Sequence, residues 1–176
     1  MGKTILLTGR PRVGKTTIIK EVVKHLPGRA GGFYTEEIQE HGQRQGFRIV
    51  TLDGQEGILA HVHVRSRYRV SKYGVDLVSL EKVGVTAIQR AIAASDCVII
   101  DEIGKMELFS TVFKEAVLAA IESDKPVLGT IMLRSHPWAD TIKAHPRVIL
   151  IKITEANRDA VVQFTLDFLS QGLTTD

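Results

Sequence analysis

Residues 9–17 read GRPRVGKTT and directly follow the apolar run KTILLT, so two glycines five positions apart, a lysine and two adjacent hydroxyls close the first strand-like segment. Gly9 and Gly14 allow positive φ, which turns successive backbone N–H groups into one concavity. A helix beginning near Lys15 would add the positive end of its dipole beneath them. Such a cradle fits a polyphosphate. In this Gly-x-x-x-x-Gly-Lys-Thr spacing, Lys15 reaches β- and γ-phosphate oxygens as a point charge, and the Thr16 hydroxyl is an oxygen ligand suited to magnesium. Thr17 either holds the α-phosphate or caps the helix. Pro11 and Val13 complete the loop, while Arg10 and Arg12 either touch phosphate or ribose or face solvent.

A phosphate loop needs a carboxylate at the end of a neighbouring buried strand to hold the shell of the metal ion, and CVIIDE at 97–102 supplies one. Asp101 is therefore expected at the metal. Glu102, one residue further toward the γ-phosphate, can accept a proton from an attacking water and orient it.

The elements that must position these groups follow from hydrophobic period. Ile18, Ile19, Val22, Val23 and Leu26 mark one face of a helix over 15–26, stopped by Pro27-Gly28. Short β-prone runs with glycine-bearing turns over 31–70 predict two or three antiparallel strands in hairpins. The polar, basic stretch 65–77 is expected to be a mobile loop, and 79–95 a helix capped by Ser79. Then come a buried strand at 97–101, a helix at 110–123, a strand at 126–132 and a short helical turn near 138–144. A strand at 147–153 and a helix at 156–170 close the chain. Continuous apolar strands alternating with amphipathic helices predict an α/β fold, a mostly parallel sheet with helices on both faces. The hairpins form an antiparallel extension of that sheet at about 31–70.

With 176 residues, 44% of them hydrophobic and 24% charged, the chain has the composition of one globular domain. No apolar run approaches the roughly 20 residues that span a bilayer, and no secretion signal is visible, so a cytoplasmic location is expected. A net charge of +3 is too mild to demand nucleic acid. Cys97, in an apolar run, reads as a core residue. The alternating His61 and His63 read as a half-buried strand rather than a zinc site. Magnesium is the expected metal, and Trp138 reads as a packing residue.

The run VIIDEIGKMELFS at 98–110, together with GRPRVGKTT, GGFYTEEI at 31–38, RQGFRIVTLDG at 44–54 and EANRD at 155–159, resembles the THEP1-type nucleoside-triphosphatases. The resemblance covers nearly the whole chain. It implies a three-layer P-loop core, RecA-like or kinase-like, that hydrolyses ATP, GTP and other nucleoside triphosphates to diphosphate and phosphate with magnesium and broad base tolerance. It also implies nucleotide contact by Gly9 to Thr16 and by Val98, Ile99, Ile100, Asp101, Glu102, Ile103, Gly104 and Lys105, with Glu102 as the catalytic carboxylate beside Lys15. Lys105 and Glu107 either approach the nucleotide or pair on the surface. Asn157 and Arg158, after the last strand, either contact base or ribose or cap the final helix. The family commonly has glycine where this chain has Arg12.

Two other functions share these motifs. A kinase of a nucleotide or small metabolite needs an acceptor pocket and a basic lid, which Arg65, Arg67 and Arg69 could form if they are not a solvated turn. A nucleotide-switched RNA-binding or protein-binding module would use the cations of 65–73 interleaved with Tyr68 and Tyr73.

Overall fold

Among the described residues, nine strands hydrogen-bond into one sheet whose middle is built from the most apolar runs of the sequence. The computed structural model describes residues 3–171 and 173. The strands are β1 (Thr4–Thr8), β2 (Ala30–Glu40), β3 (Gln43–Thr51), β4 (Glu56–His61), β5 (Arg69–Val70), β6 (Tyr73–Val75), β7 (Cys97–Ile103), β8 (Val127–Ile131) and β9 (Val148–Lys152). Their order is β5-β6-β4-β3-β2-β7-β8-β1-β9, parallel from β2 to β9 and antiparallel from β2 to β5.

Side chains alternate across a strand, so β1 sends Ile5 and Leu7 to one face and Leu6 to the other. The helices α1 (Lys15–His25) and α6 (Arg158–Ser170) cover the first face with Ile18, Ile19, Val22, Val161 and Leu169. On the second, α3 (Thr86–Ala94) and α4 (Thr111–Glu122) place Ile88, Phe113 and Val117 against Leu6 and Phe33. Burial on both faces explains why the central strands read as unbroken apolar runs.

The antiparallel extension of the sheet is present as expected, and Ala30–Phe33 of β2 pair in parallel with Cys97–Ile100 before the strand continues against β3. β2 thus joins the extension to the central sheet. The extension also runs on to Val75: the stretch expected to be a mobile loop folds as the β5–β6 hairpin, with Tyr73, Gly74 and Val75 buried. Tyr73 packs edge-on to Phe47 at 5.4 Å, a contact that the surrounding cations mask in the sequence.

The helix before β7 is capped by Asp76 rather than Ser79, the Asp76 carboxylate accepting from Ser79 N at 2.9 Å. It begins as α2 (Leu77–Ser79), widens to a π-helical turn at Leu80–Val85 and continues as α3. Gly84 lies in that turn, where a side chain would meet Leu80 at 3.3 Å and face Ile49 and Phe33. The short α5 (Pro137–Lys143) is capped by the ring of His136, and Trp138 packs against the core as expected.

At the start of α4 the Ser110 hydroxyl accepts from Phe113 N at 3.0 Å and donates to Glu81 at 2.8 Å, tying α4 to the π-helical turn. Ser110→Ala is expected to cost about 1–2 kcal/mol, read as a lower urea midpoint with unchanged slope.

Candidate active site

The phosphate loop joins the buried end of β1 to the first turn of α1. Gly14 stands before Lys15 at φ +107° with Arg158 lying against it, so an added Cβ would come 3.3 Å from that side chain. Arg12 adopts φ +65°, a left-handed geometry natural to glycine and uncommon for arginine. The Lys15 ammonium donates to the Gly9 carbonyl at 2.7 Å. Arg158 reaches the Val13 carbonyl at 3.5 Å. Asn157 is occupied locally: its side-chain oxygen accepts from Thr154 N and its amide donates to the Lys152 carbonyl, both at 2.8 Å.

At the end of β7, Asp101 is 3% exposed and held on both oxygens, by the Thr16 hydroxyl at 2.8 Å and the Thr130 hydroxyl at 2.7 Å. Its carbonyl accepts from Thr35 at 2.8 Å. Burial raises the Asp101 pKa, opposed by these hydroxyls and by Lys15. The next carboxyl, Glu102, is also raised, first by burial and then by Asp101, with Lys15 pulling it back.

Glu107 is the third carboxyl. It neither pairs on the surface nor stands in solvent: it is 3% exposed, and its Oε2 accepts from Gly104 N at 3.1 Å. Burial, and then the charge of Glu102, push its pKa up to about 8. A Cβ on Gly104 would lie 2.5 Å from Glu102 Oε1 and 2.9 Å from Glu107 Oε2, so glycine is needed where these two carboxyls close in.

These groups line one cavity of about 500 Å³. It brings together Pro11, Arg12, Gly14, Lys15, Thr16 and Thr17 with Asp101, Glu102, Lys105 and Glu107. Val98, Ile99, Ile100 and Ile103, of which nucleotide contact was expected, do not line this cavity. All four are fully buried in β7, because both faces of that strand are covered, and their part is to carry Asp101 and Glu102 to the cavity floor. Gly9, Arg10, Val13, Asn157 and Arg158 lie outside the cavity lining, and Gly104 is buried beneath it.

Sequence reasoning missed Thr35, Glu37, Phe47, Leu59, Val70 and Met106 in the lining, and Thr130 behind Asp101. The hydroxyl in the otherwise apolar VLGTI of β8 was the one local signal, since a fully buried threonine needs a partner. Arg65, Arg67 and Arg69, offered as either a lid or a solvated turn, do not line this cavity. Arg69 donates to the Val64 and Lys72 carbonyls, and Arg67 donates to the Tyr68 hydroxyl at 2.7 Å. Tyr68 packs on Phe109 and Tyr73 is 4% exposed, so neither ring offers the open face that base stacking uses. Cys97 is buried, which pushes its thiol up to about 12.

A family model described as NTPase matches residues 4–166. The nucleoside-triphosphatase THEP1 of Thermotoga sp. (strain RQ2) is 49% identical over 165 residues, covering 94% of each chain. The crystal structure of THEP1 from the hyperthermophile Aquifex aeolicus superposes with a TM-score of 0.86 at 37% identity, covering 94% of this chain and 98% of that one. The solution structure of a human cancer-related nucleoside triphosphatase gives a TM-score of 0.81 at 33% identity, covering 99% of this chain and all of that one. With the P-loop α/β fold and the phosphate loop facing a strand-end carboxylate, these likenesses establish that the chain belongs to the THEP1-type family of nucleoside-triphosphatases.

Proposed function

We propose that the protein hydrolyses nucleoside triphosphates to diphosphate and inorganic phosphate with magnesium and with tolerance for the base. The observation that carries this reading is the hydrogen bond from Thr16 to Asp101, which joins the phosphate loop to the end of β7 and leaves Glu102 in the same cavity.

The donor set suits magnesium. Among the described residues no group of three His, Cys, Asp or Glu side chains stands ready to hold an ion alone. The Thr16 hydroxyl and the Asp101 carboxylate are oxygen donors side by side, and a hard cation that takes its remaining oxygens from phosphates and water needs little more. Bound there, magnesium would neutralise charge on the β- and γ-phosphates.

The chain's own residues supply the rest. Backbone amides of Arg12 to Thr17 and the Lys15 ammonium take up phosphate charge. Glu102 orients water in line with the γ-phosphorus and accepts its proton. Lys15 favours the ionised Glu102, whereas Glu107, without that cation among its influences, holds its proton. Arg12, in the cavity lining with Lys15, would stabilise charge on the transferring group. Tolerance for the base is supported by Asn157, whose side-chain oxygen and amide are both engaged within the chain.

Phosphate release from ATP, GTP, CTP and UTP, with magnesium and with EDTA, tests this reading. Rates within about tenfold of one another, and lost in EDTA, are expected where no polar group reads the base. Release that persists in EDTA removes the metal, and release from a single base removes the tolerance.

A further inference from the structure

A water molecule occupies about 30 Å³ of liquid, and the cavity above Glu102 holds about 500 Å³. Residues of the phosphate loop line one part of it, and Phe47, Leu59, Val70 and Met106 line another. In the sheet, β9 lies on one side of β1, the edge where Arg158 touches Gly14, whereas β8 and, beyond it, β7 and β2 lie on the other. A triphosphate whose base lies toward α6 therefore directs its γ-phosphoryl group toward β7 and into this space. There Phe47, Leu59, Val70 and Met106 form an apolar wall, with Thr35 and Glu37 also in the lining.

The space continues outward. Arg12, Phe47, Val70 and Met106 also line a second cavity of about 670 Å³, whose far wall carries Arg44, Lys72 and Tyr73. Arg44 is held in place there: its guanidinium lies over Phe47 at 5.0 Å and over Tyr73 at 5.6 Å, its Nε donates to the Tyr73 hydroxyl at 3.0 Å, and its Nη1 pairs with Glu37 at 3.2 Å. A path leading away from the γ-phosphate thus passes carboxyls, then an apolar wall, then Arg44 and Lys72.

We propose that this path is a subsite for a phosphoryl acceptor, a small primary alcohol with a flat apolar body and an anionic tail. Its hydroxyl lies at Glu102, its body against Phe47, Leu59, Val70 and Met106, and its anion between Arg44 and Lys72. The inference rests on the nucleoside-triphosphate-cleaving reading of the same site. In the transfer step the hydroxyl oxygen bonds to the γ-phosphorus as the bond from that phosphorus to the β,γ-bridging oxygen breaks. The diphosphate leaves with the electron pair, and the hydroxyl proton passes to the Glu102 carboxylate. Water takes the same position when no alcohol is bound, so hydrolysis and transfer compete for one phosphoryl group.

The test follows γ-labelled ATP with the full chain and two probes, adenosine 3′-monophosphate for a phosphate tail and 4-(hydroxymethyl)benzoate for a carboxylate tail, with benzyl alcohol as the tail-less control. With at least one anionic probe, ADP is expected to exceed inorganic phosphate, with the missing label on the probe. Benzyl alcohol should accept at least about tenfold less, the worth of a charge-assisted contact. Arg44→Ala should lower the ratio of transfer to hydrolysis by a similar factor. Lys72→Glu, at an exposed position, provides the same reading if Arg44→Ala disturbs the fold. Equal amounts of ADP and phosphate with both probes overturn the acceptor subsite and leave the hydrolase standing. Transfer that neither substitution alters also overturns the subsite as placed here. ATP left uncleaved with and without probes removes the hydrolase reading and the subsite with it.

Discussion

Glu102→Gln is expected to lower phosphate release by about 10²–10³ while nucleotide affinity stays within about threefold of the unsubstituted protein. Glutamine keeps the shape of the side chain where it lies close to Gly104, so the local fold has no reason to change. It removes the proton acceptor. The raised pKa of Glu102, caused by burial and by Asp101 and opposed by Lys15, makes the carboxylate a better base. An amide has neither property. Single-turnover phosphate release beside nucleotide titration separates the two effects. A variant that releases phosphate at the original rate moves the base elsewhere in the cavity, and a variant that no longer binds nucleotide makes Glu102 a binding residue.

Glu107→Gln is expected to make stability less dependent on pH. The folded pKa of Glu107 is pushed up to about 8 from its ordinary value of 4.5, so the folded state binds the proton more tightly than the unfolded chain. The sign follows from linkage: this contribution is fully present below pH 4.5 and is lost as pH rises toward and through 8. Glutamine stays neutral throughout and keeps an oxygen for Gly104 N. The variant should therefore match the parent near pH 5 and exceed it near pH 9 by on the order of 4 kcal/mol. Urea denaturation of both proteins at the two pH values measures the difference, in which titrating groups distant from Glu107 cancel. A difference that does not change with pH would mean that Glu107 is not the group responsible.

The phosphate loop was legible because its chemistry is contiguous: glycines, lysine and threonine within nine residues, between an apolar run and an amphipathic helix. Asp101 and Glu102 were legible for a related reason, as charges ending a strand that is otherwise wholly apolar. The DEIGKMEL run added the family. Glu107 was harder, because sequence places it six residues after Asp101 but does not say whether the turn faces solvent. The short 3₁₀ turn Glu107–Phe109 buries it.

The hairpin region was read least well. Its polar and basic residues obscure Val70, Tyr73 and Val75, and only pairing with β4 and packing on Phe47 turns them inward. Likewise, Ser79 and Asp76 are both competent caps, and the backbone geometry of the turn selects Asp76.

The sequence by itself determined the order of the parallel strands and the helices between them, the double-sided burial of the central strands, the phosphate cradle and the carboxylates expected to face it. Each depends on periodicity or spacing over fewer than about 20 residues, the range in which backbone geometry and local hydrogen bonding act. Tertiary structure alone decided that Thr16 bonds to Asp101 across 85 positions and that Thr130 holds the other oxygen. It also decided that Phe47, Leu59, Val70 and Met106 wall the space beyond them. These residues come from four segments with no shared pattern, and the order in which the strands pair is what brings them to one cavity.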